Sequence, residues 1–434
     1  MTEKIFRAEL WDQMHYFLRC HNDHMVHYLF EYEGTINADL LRDSLQLLMD
    51  ANPVLRSRFV ILPIRPVWCV SDVTAVDVLT VSDTGTPDED AMGFLLQEIP
   101  LNSPSQLRMG LFRCGKRSLL AVLCNHMCFD AGDGRYFIHM LCRNYDLLAE
   151  GKQPEPVRQG SRSHRRIYDD LTLPERIHAK TLFKYSKCKV ESPVFPLSPD
   201  SEDDHAMILR RDFDRETLDA LCAYAKSHCA TLNDLLTAAV MSVLYGMCGF
   251  DPRKPMSIAC AVDLRRHMRD WGESTGLTNH VAWHDCCSDG GRGEFSELLS
   301  AVKASMDKGK ADTYTGMYAL PLLNLACRVV PLFLADPIVA RVYNNPSIEI
   351  SNIGRISTED CSFCDARLVG GHITGAIKRK PMLFLSVTRF ETGLVMTSAL
   401  FGSNDDAALI NLFFDRLTAL FASLHTIAAY EPNR

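Results

Sequence analysis

Cys124-Asn125-His126-Met127-Cys128-Phe129-Asp130-Ala131-Gly132 is the stretch from which the fold follows. It continues Ser118-Leu-Leu-Ala-Val-Leu-Cys124, an unbroken apolar run of the kind expected for a strand buried on both faces. A histidine therefore stands at the end of a buried strand, with an aspartate four residues on and a glycine turn beyond. Loops held by a rigid scaffold carry a large share of catalytic groups, and histidine is the natural proton acceptor near neutral pH. Taken alone, His-x-x-x-Asp is a short pattern. A core histidine bonded to a neighbouring backbone group explains it equally well.

On either side the pattern is that of a mixed α/β chain. Residues 107–114 form an extended partner to 118–124 across Gly115-Lys116-Arg117. A helix is expected from about Gly134 to Leu148, with Phe137, Met140, Leu141, Tyr145 and Leu148 on its inner face. Upstream, Leu41, Leu45 and Leu48 predict a helix over 37–50 capped by Asn37, followed by extended chain over 57–71. The polar, basic stretch 151–170 and the proline-rich acidic break Ser192–His205 divide the chain into halves, 1–190 and 205–434. The second half opens with a strand at 207–210 and a helix at 214–228. Thr231 and Asp234 then have capping-box spacing before the apolar run Leu235 to Val243. Further strands are expected at 256–262, 280–285, 348–353, 383–389 and 393–400, with a closing helix over 405–427.

Composition bounds the function. The chain has 434 residues, with 46 Lys+Arg against 54 Asp+Glu and a formal net charge of −8. That balance is ordinary for a globular protein and lacks the basic surplus that nucleic-acid binding usually requires. Sixteen cysteines lie scattered in mostly apolar stretches. The opening Met1–Arg7 has no apolar core or small-residue cleavage site, so reduced thiols in a cytoplasmic protein are expected. The longest apolar region, Tyr318 to Val342, is broken by Pro321, Arg328, Pro331, Asp336 and Pro337. It reads as a buried helical region rather than a membrane span.

Several stretches, in order, resemble the condensation-domain and chloramphenicol-acetyltransferase-like acyltransferase superfamily. The segment around His126 is similar to its H-H-x-x-x-D-G motif, with Asn125 in place of the first histidine and the glycine displaced to Gly132. Glu9-Leu-Trp11 resembles its first core motif, and Asn52-Pro-Val-Leu-Arg-Ser-Arg-Phe59 its R-H-x-x-L-R-T-x-F stretch. Ala261-Val-Asp-Leu-Arg265 and Gly276-Leu-Thr-Asn279 resemble motifs of its second half, and Ser351-Asn-Ile-Gly354 the S-N-x-G of the alcohol-acyltransferase branch.

The resemblance implies an α/β fold of two chloramphenicol-acetyltransferase-like halves set in a V around a central tunnel, in a monomer. It implies acyl transfer from a pantetheine thioester, on coenzyme A or a carrier protein, to a hydroxyl or amine. Neither donor would be a permanently bound cofactor. His126 would accept the nucleophile's proton or position it, and Asn352 would hydrogen-bond near the reacting centre. Asn125, Asn279, Ser351 and Gly354 would lie around the substrates. Asp130 would pair with Arg56, or failing that Arg58, with Gly132 completing the turn. The alternative is a catalytically silent condensation-like domain that recruits a carrier protein or biosynthetic partner.

Other motifs are discounted. Gly272-Glu-Ser-Thr-Gly276 matches a nucleophile elbow but lacks the apolar strand before it and the helix after it. Cys361-Ser-Phe-Cys364 and Cys286-Cys287 have no second ligand pair at zinc spacing, so no metal is expected. Cys128 sits among apolar neighbours and reads as an inert thiol. Arg158, Arg162, Arg165 and Arg166 read as a solvated loop, or more sharply as a docking surface for an acidic carrier protein or coenzyme A phosphates.

Overall fold

The computed structural model describes residues 4–183, 190–269, 276–291, 293–342 and 347–430. The first half runs β1 (Ile5–Arg7), α1 (Leu10–Phe17), β2 (Met25–Gly34), α2 (Ala38–Ala51), β3 (Ser57–Val60), β4 (Val67–Val70), α3 (Ala75–Val78), β5 (Leu79–Asp83), α4 (Pro87–Leu95), β6 (Leu107–Cys114), β7 (Arg117–Asn125), α5 (Ala131–Ala149) and α6 (Leu173–Ala179). The second runs β8 (His205–Asp214), α7 (Arg215–Ser227), α8 (Leu232–Met247), β9 (Ser257–Asp263), β10 (Val281–Cys287), α9 (Phe295–Ala311), α10 (Leu320–Val329), α11 (Leu332–Val342), β11 (Ile348–Arg355), β12 (Ala366–Thr374), β13 (Lys378–Arg379), β14 (Leu383–Phe390), β15 (Gly393–Gly402) and α12 (Asn404–Tyr430).

The caps expected from the sequence are made. Asn37 Oδ1 accepts from the backbone N–H groups of Asp39 and Leu40 at 2.9 and 3.2 Å. Asp234 accepts from the Thr231 N–H at 2.9 Å, and the Thr231 hydroxyl accepts from the Asp234 N–H at 3.2 Å. Each cap satisfies donors that a helix start leaves unpaired.

β7 lies inside a five-stranded sheet of order β12-β2-β7-β6-β5. Its unbroken apolar character follows from cover on both faces. Leu120, Val122 and Cys124 pack in the core with α2 and α5, while Leu119, Ala121 and Leu123 pack against α4, Ile208 of β8 and Ala399 of β15. The first sheet is thus pressed against the second, which has the order β10-β9-β11-β14-β15-β13 with β8 also paired to β15. A small sheet β1-β4-β3 stands to one side.

Four features differ from expectation. The division at 190/205 takes no account of β12, which leaves the second half and pairs antiparallel with β2, Ala366 opposite Gly34 and Thr374 opposite His27. Neither strand stands out in the sequence, because His27, Glu31 and Glu33 interrupt one apolar pattern and Gly370, Gly371 and His372 the other. Extended chain over 57–71 resolves into β3 and β4 around an exposed turn. The helix after the motif begins at Ala131, with Asp130 as its N-cap, so the glycine turn is its first turn. The region 318–342 is helical but not simply buried. Leu320, Cys327, Leu332 and Ala335 join the core, while Leu322, Leu325, Val329, Phe333, Leu334 and Ile338 face outward. The stretch 404–425 is apolar and long enough to cross a membrane, yet Ile410, Phe413, Phe414, Leu417, Phe421 and Leu424 pack in the core with α7 and α8.

The cores enclose several neutral histidines. Burial lowers the pKa of His24 and His164 to about 4, and that of His280 and His372 to about 3. A histidine whose folded pKa lies below its unfolded value of about 6.5 contributes stability that is complete above pH ~6.5. On acidification the unfolded chain takes up protons first, so that stability is lost. Unfolding free energy should therefore fall between about pH 6.5 and 3. In urea titrations across this range, His372→Gln should flatten the fall; an unchanged slope would show that His372 carries none of it.

Candidate active site

The site is built where β7 hands over to α5. Asp130 caps α5, its Oδ1 accepting from the Asp133 N–H at 3.0 Å. Its Oδ2 accepts from Arg265 Nη1 at 2.9 Å and from the His280 backbone N–H at 2.7 Å. Arg265 Nη2 lies 2.9 Å from Asp133 and donates to the Thr278 carbonyl at 3.2 Å. Asp133 also accepts from the Thr278 N–H at 2.9 Å and pairs with Arg158. All four charged side chains are buried. Burial pushes the Asp130 carboxyl upward, but the charge of Arg265 and the hydrogen bonds from Arg265, His280 and Asp133 outweigh it and bring its pKa to about 2. Burial likewise disfavours the Arg265 guanidinium, and Asp130, Asp133 and Asp263 hold its pKa above the usual value regardless.

Asp130 is therefore not held by Arg56. Val54 and Leu55 take the inward positions of the short turn Pro53–Arg56, leaving Arg56 to donate to the Ser71 carbonyl at 3.4 Å and to lie 3.9 Å from Asp50. Arg58 is exposed on β3. Gly132 does border the ion cluster: a Cβ there would come within 3.2 Å of both Arg265 Nη1 and Asp130 Oδ1. Gly134, not singled out in the sequence, is under tighter constraint, since its Cβ would lie 2.1 Å from the Tyr28 hydroxyl. Two members of the basic stretch are ties rather than solvated charge. Arg158 is buried on Asp133, and Arg162 holds Asp12 through two hydrogen bonds of 2.9 and 3.1 Å while donating to the Met127 carbonyl at 2.7 Å.

His126 follows β7 directly, its backbone N–H donating to the His24 carbonyl at 2.7 Å. Its ring stacks on His15 of α1, with centroids 4.6 Å apart. Asn279 lies against both rings. Its Oδ1 accepts from the Val281 N–H at 2.9 Å, which fixes the amide, and Nδ2 then lies 2.6 Å from His15 Nε2 and 3.0 Å from His126 Nδ1. The same Nδ2 donates to the His126 carbonyl at 3.4 Å. Burial lowers the pKa of both histidines. For His15, repulsion from His126, His24 and Lys378 adds to this; for His126, Asp130 and its own backbone partly offset it. Both rings are thus kept neutral.

A cavity of about 890 Å³ opens in front of this pair. The first half contributes Trp11, His15 and His126 to its wall, and the second Asn279, Ser351 and Lys378. Lys378 Nζ and Glu349 Oε2 sit 2.8 Å apart in the same wall, both largely buried. Asn125 and Asn352 do not reach the cavity. Asn125 is buried, donating to Gln106 at 2.9 Å and accepting from the Met127 N–H at 3.0 Å. Asn352 donates to Asn233 at 3.2 Å and accepts from the Gly354 N–H at 3.0 Å, so it holds a bulge in β11 rather than the reacting centre. Gly354 has φ of +91° there, and a Cβ would meet Arg135 at 3.0 Å.

His15, Asp133, Arg265, Lys378 and Glu349 were not expected at the site. Arg265 alone left a sequence signal, as the last residue of Ala261-Val-Asp-Leu-Arg265. Of the discounted motifs, residues 272–275 of the elbow pattern lie outside the described residues, and Cys128 is buried with its thiol 3.7 Å from the Val54 carbonyl.

A mixed α/β scaffold of two halves is the build of the chloramphenicol-acetyltransferase-like proteins. Solved structures carry the same fold along nearly the whole chain. The starter condensation domain of rhizomide synthetase RzmA, in complex with C8-CoA, aligns with a TM-score of 0.68 at 13% identity, covering 98% of this chain and 95% of that one. The epimerization domain of the third module of tyrocidine synthetase B aligns with a TM-score of 0.67 at 12% identity, covering 98% of each chain. Polyketide synthase associated protein 5 from Mycobacterium tuberculosis gives 0.66 at 14% identity, covering 92% and 93%. No curated protein matches the chain in sequence. The sequence profile of the Condensation domain matches residues 13–326, and the chain belongs to that family.

The ion cluster makes a prediction for stability. Breaking a buried pair strands the surviving charge and costs about 3–5 kcal/mol. Asp130→Ala and Arg265→Ala should each lose that much in denaturant unfolding, and the double variant less than the two losses combined. Arg56→Ala removes only long, half-buried contacts to Ser71 and Asp50 and should stay within about 1 kcal/mol of wild type. Additive losses for Asp130 and Arg265 would show that the two do not act as a unit.

Proposed function

We propose that the chain moves an acyl group from a pantetheine thioester to a hydroxyl or amine of a small molecule, with His126 as proton acceptor. The observation that carries this reading is the His126 ring, held at the strand end and facing a cavity walled by both halves, with burial lowering its pKa. A charged imidazolium could not take a proton; burial keeps this one available. As the acceptor attacks, the new C–O or C–N bond forms and its proton passes to His126. The C–S bond then breaks, and His126 returns that proton to the departing pantetheine sulfur. Most of the gain comes from aligning two substrates, so no acyl-enzyme is required.

For Nε2 to be the base, the His126 proton must sit on Nδ1 and face the ring's own backbone carbonyl. Asn279 then donates to that carbonyl and to His15 Nε2. Asn279 is thus a positioning residue for the imidazole. Asp130 acts at one remove, since both its oxygens are taken by Arg265, His280 and Asp133.

The donor is coenzyme A or a carrier protein, and the assay is acyl transfer from both kinds of donor to mixed alcohols and amines. His126→Ala should lower turnover by about 10²–10⁴ with little change in melting temperature. Wild-type turnover in that variant would reduce His126 to a packing residue. Absence of product from every donor, with a partner captured instead, would favour a silent recruiting domain.

The pH profile is a second test. Protonation removes the base, and the His126 pKa is lowered, so the acid limb of kcat/KM should lie below pH ~6.5. Asn279→Asp places a carboxylate beside the ring, which favours the imidazolium and should move that limb upward. A limb that stays in place would show that Asn279 does not govern His126.

A further inference from the structure

Helices α10 and α11 are apolar on two faces. Only Asn324, Arg328, Asp336 and Arg341 are polar among the 23 residues from Leu320 to Val342. The inner face packs on α1, and Leu323 joins Trp11, Met14 and Leu18 in the cavity wall. The outer face leaves Leu322, Leu325, Val329, Phe333 and Ile338 exposed, Val329 to 69% and Phe333 to 61%. Ile64, 66% exposed, extends the patch, because its carbonyl accepts from the Leu332 N–H at 3.1 Å. A folded chain rarely leaves so many large apolar side chains together without an apolar phase to meet them.

The charge around the patch is mainly cationic. Arg65 donates to the Arg328 carbonyl, and the Arg328 pKa is lowered by burial first and then by repulsion from Arg165, Arg7 and Arg65, so four guanidiniums crowd one flank. Among the described residues, Arg7, Arg65 and Arg165 have no acidic ion-pair partner. Asp336 is already taken by Arg19, and Glu9 attracts Arg328.

We propose that the outer face of α10 and α11, with the loop at Ile64, docks on the surface of an anionic phospholipid bilayer. Leu325, Val329 and Phe333 enter the acyl boundary and the arginines meet the headgroups. Apolar residues over one helix face with cations at its margin are what an interfacial helix requires. A second copy of the chain would bring like charge against like charge. An acidic protein would satisfy the arginines but not so broad an aliphatic face. Because Leu323 lies on the cavity side of α10, docking would set the cavity close to the bilayer.

The test is flotation of the full chain with vesicles, which needs no turnover and so fails or succeeds independently of the acyl-transfer reading. The chain should float with phosphatidylcholine–phosphatidylglycerol vesicles, much less with phosphatidylcholine alone, and less in ~1 M salt, where screening reaches to about 3 Å. Leu325→Asp with Phe333→Asp should lower partitioning by about tenfold or more. Arg7→Glu and Arg165→Glu should each lower it by about fivefold on anionic vesicles only. All four positions are exposed, so melting temperatures should match wild type. No flotation, or flotation indifferent to Leu325→Asp with Phe333→Asp, overturns the proposal. So does a dimer abolished by Phe333→Asp without vesicle binding, or an acidic carrier protein held by this face in the absence of vesicle binding.

Discussion

The buried contact of Arg265 with Asp130 and Asp133 is the constraint on which the site depends. It joins the turn that follows β9, in the second half, to the first turn of α5, in the first. An isolated charge in either place would be strongly disfavoured, so the two halves stabilise one another at this point. Arg158 and the backbone groups of Thr278 and His280 complete the cluster. The ion cluster fixes where α5 starts, and the start of α5 fixes where His126 stands. The motif aspartate thus acts on geometry, four residues away from the imidazole it supports.

Around His126 burial and charge work against each other. Desolvation alone would make both His15 and His126 poor proton carriers, and the nearby Lys378 strengthens the effect for each. Asp130 offsets part of it for His126, although its oxygens are turned elsewhere. A single amide, Asn279, then meets both rings. The pair is neutral, stacked and shared, so a change at any one of the three residues reaches the other two.

Much of the fold was legible because its signals are local. β7 announces itself as an apolar run, and Asn37 and Thr231 mark helix starts by side chains that bond within three residues. The segment around His126 also marked the candidate site, and Asn279 lies there as its motif suggested. What was not legible is long-range. The partner of Asp130 is 135 residues away, and nothing local separates Arg265 from Arg56 as that partner. His15 carries no motif; it matters only because α1 lays it on His126. Asn352 misled for the converse reason. Its local pattern matched, but the bulge in β11 turns its amide to Asn233. The region 318–342 misled because apolar composition predicts burial and says nothing of which face is covered.

The strand β12 has a consequence for how the protein is made. Until it arrives, β2 is an open edge with unpaired backbone groups and flanking apolar side chains, the usual template for mispairing. Its partner residues, Ala366 to Thr374, lie more than 300 positions further along the chain. At typical translation speeds of about 5–20 residues per second, the edge waits on the ribosome for roughly 20–70 s. Through that interval the first half cannot complete its sheet, however good its own core. Glu31 and Glu33 on β2, which blur its apolar pattern in the sequence, put charge on the strand during the wait.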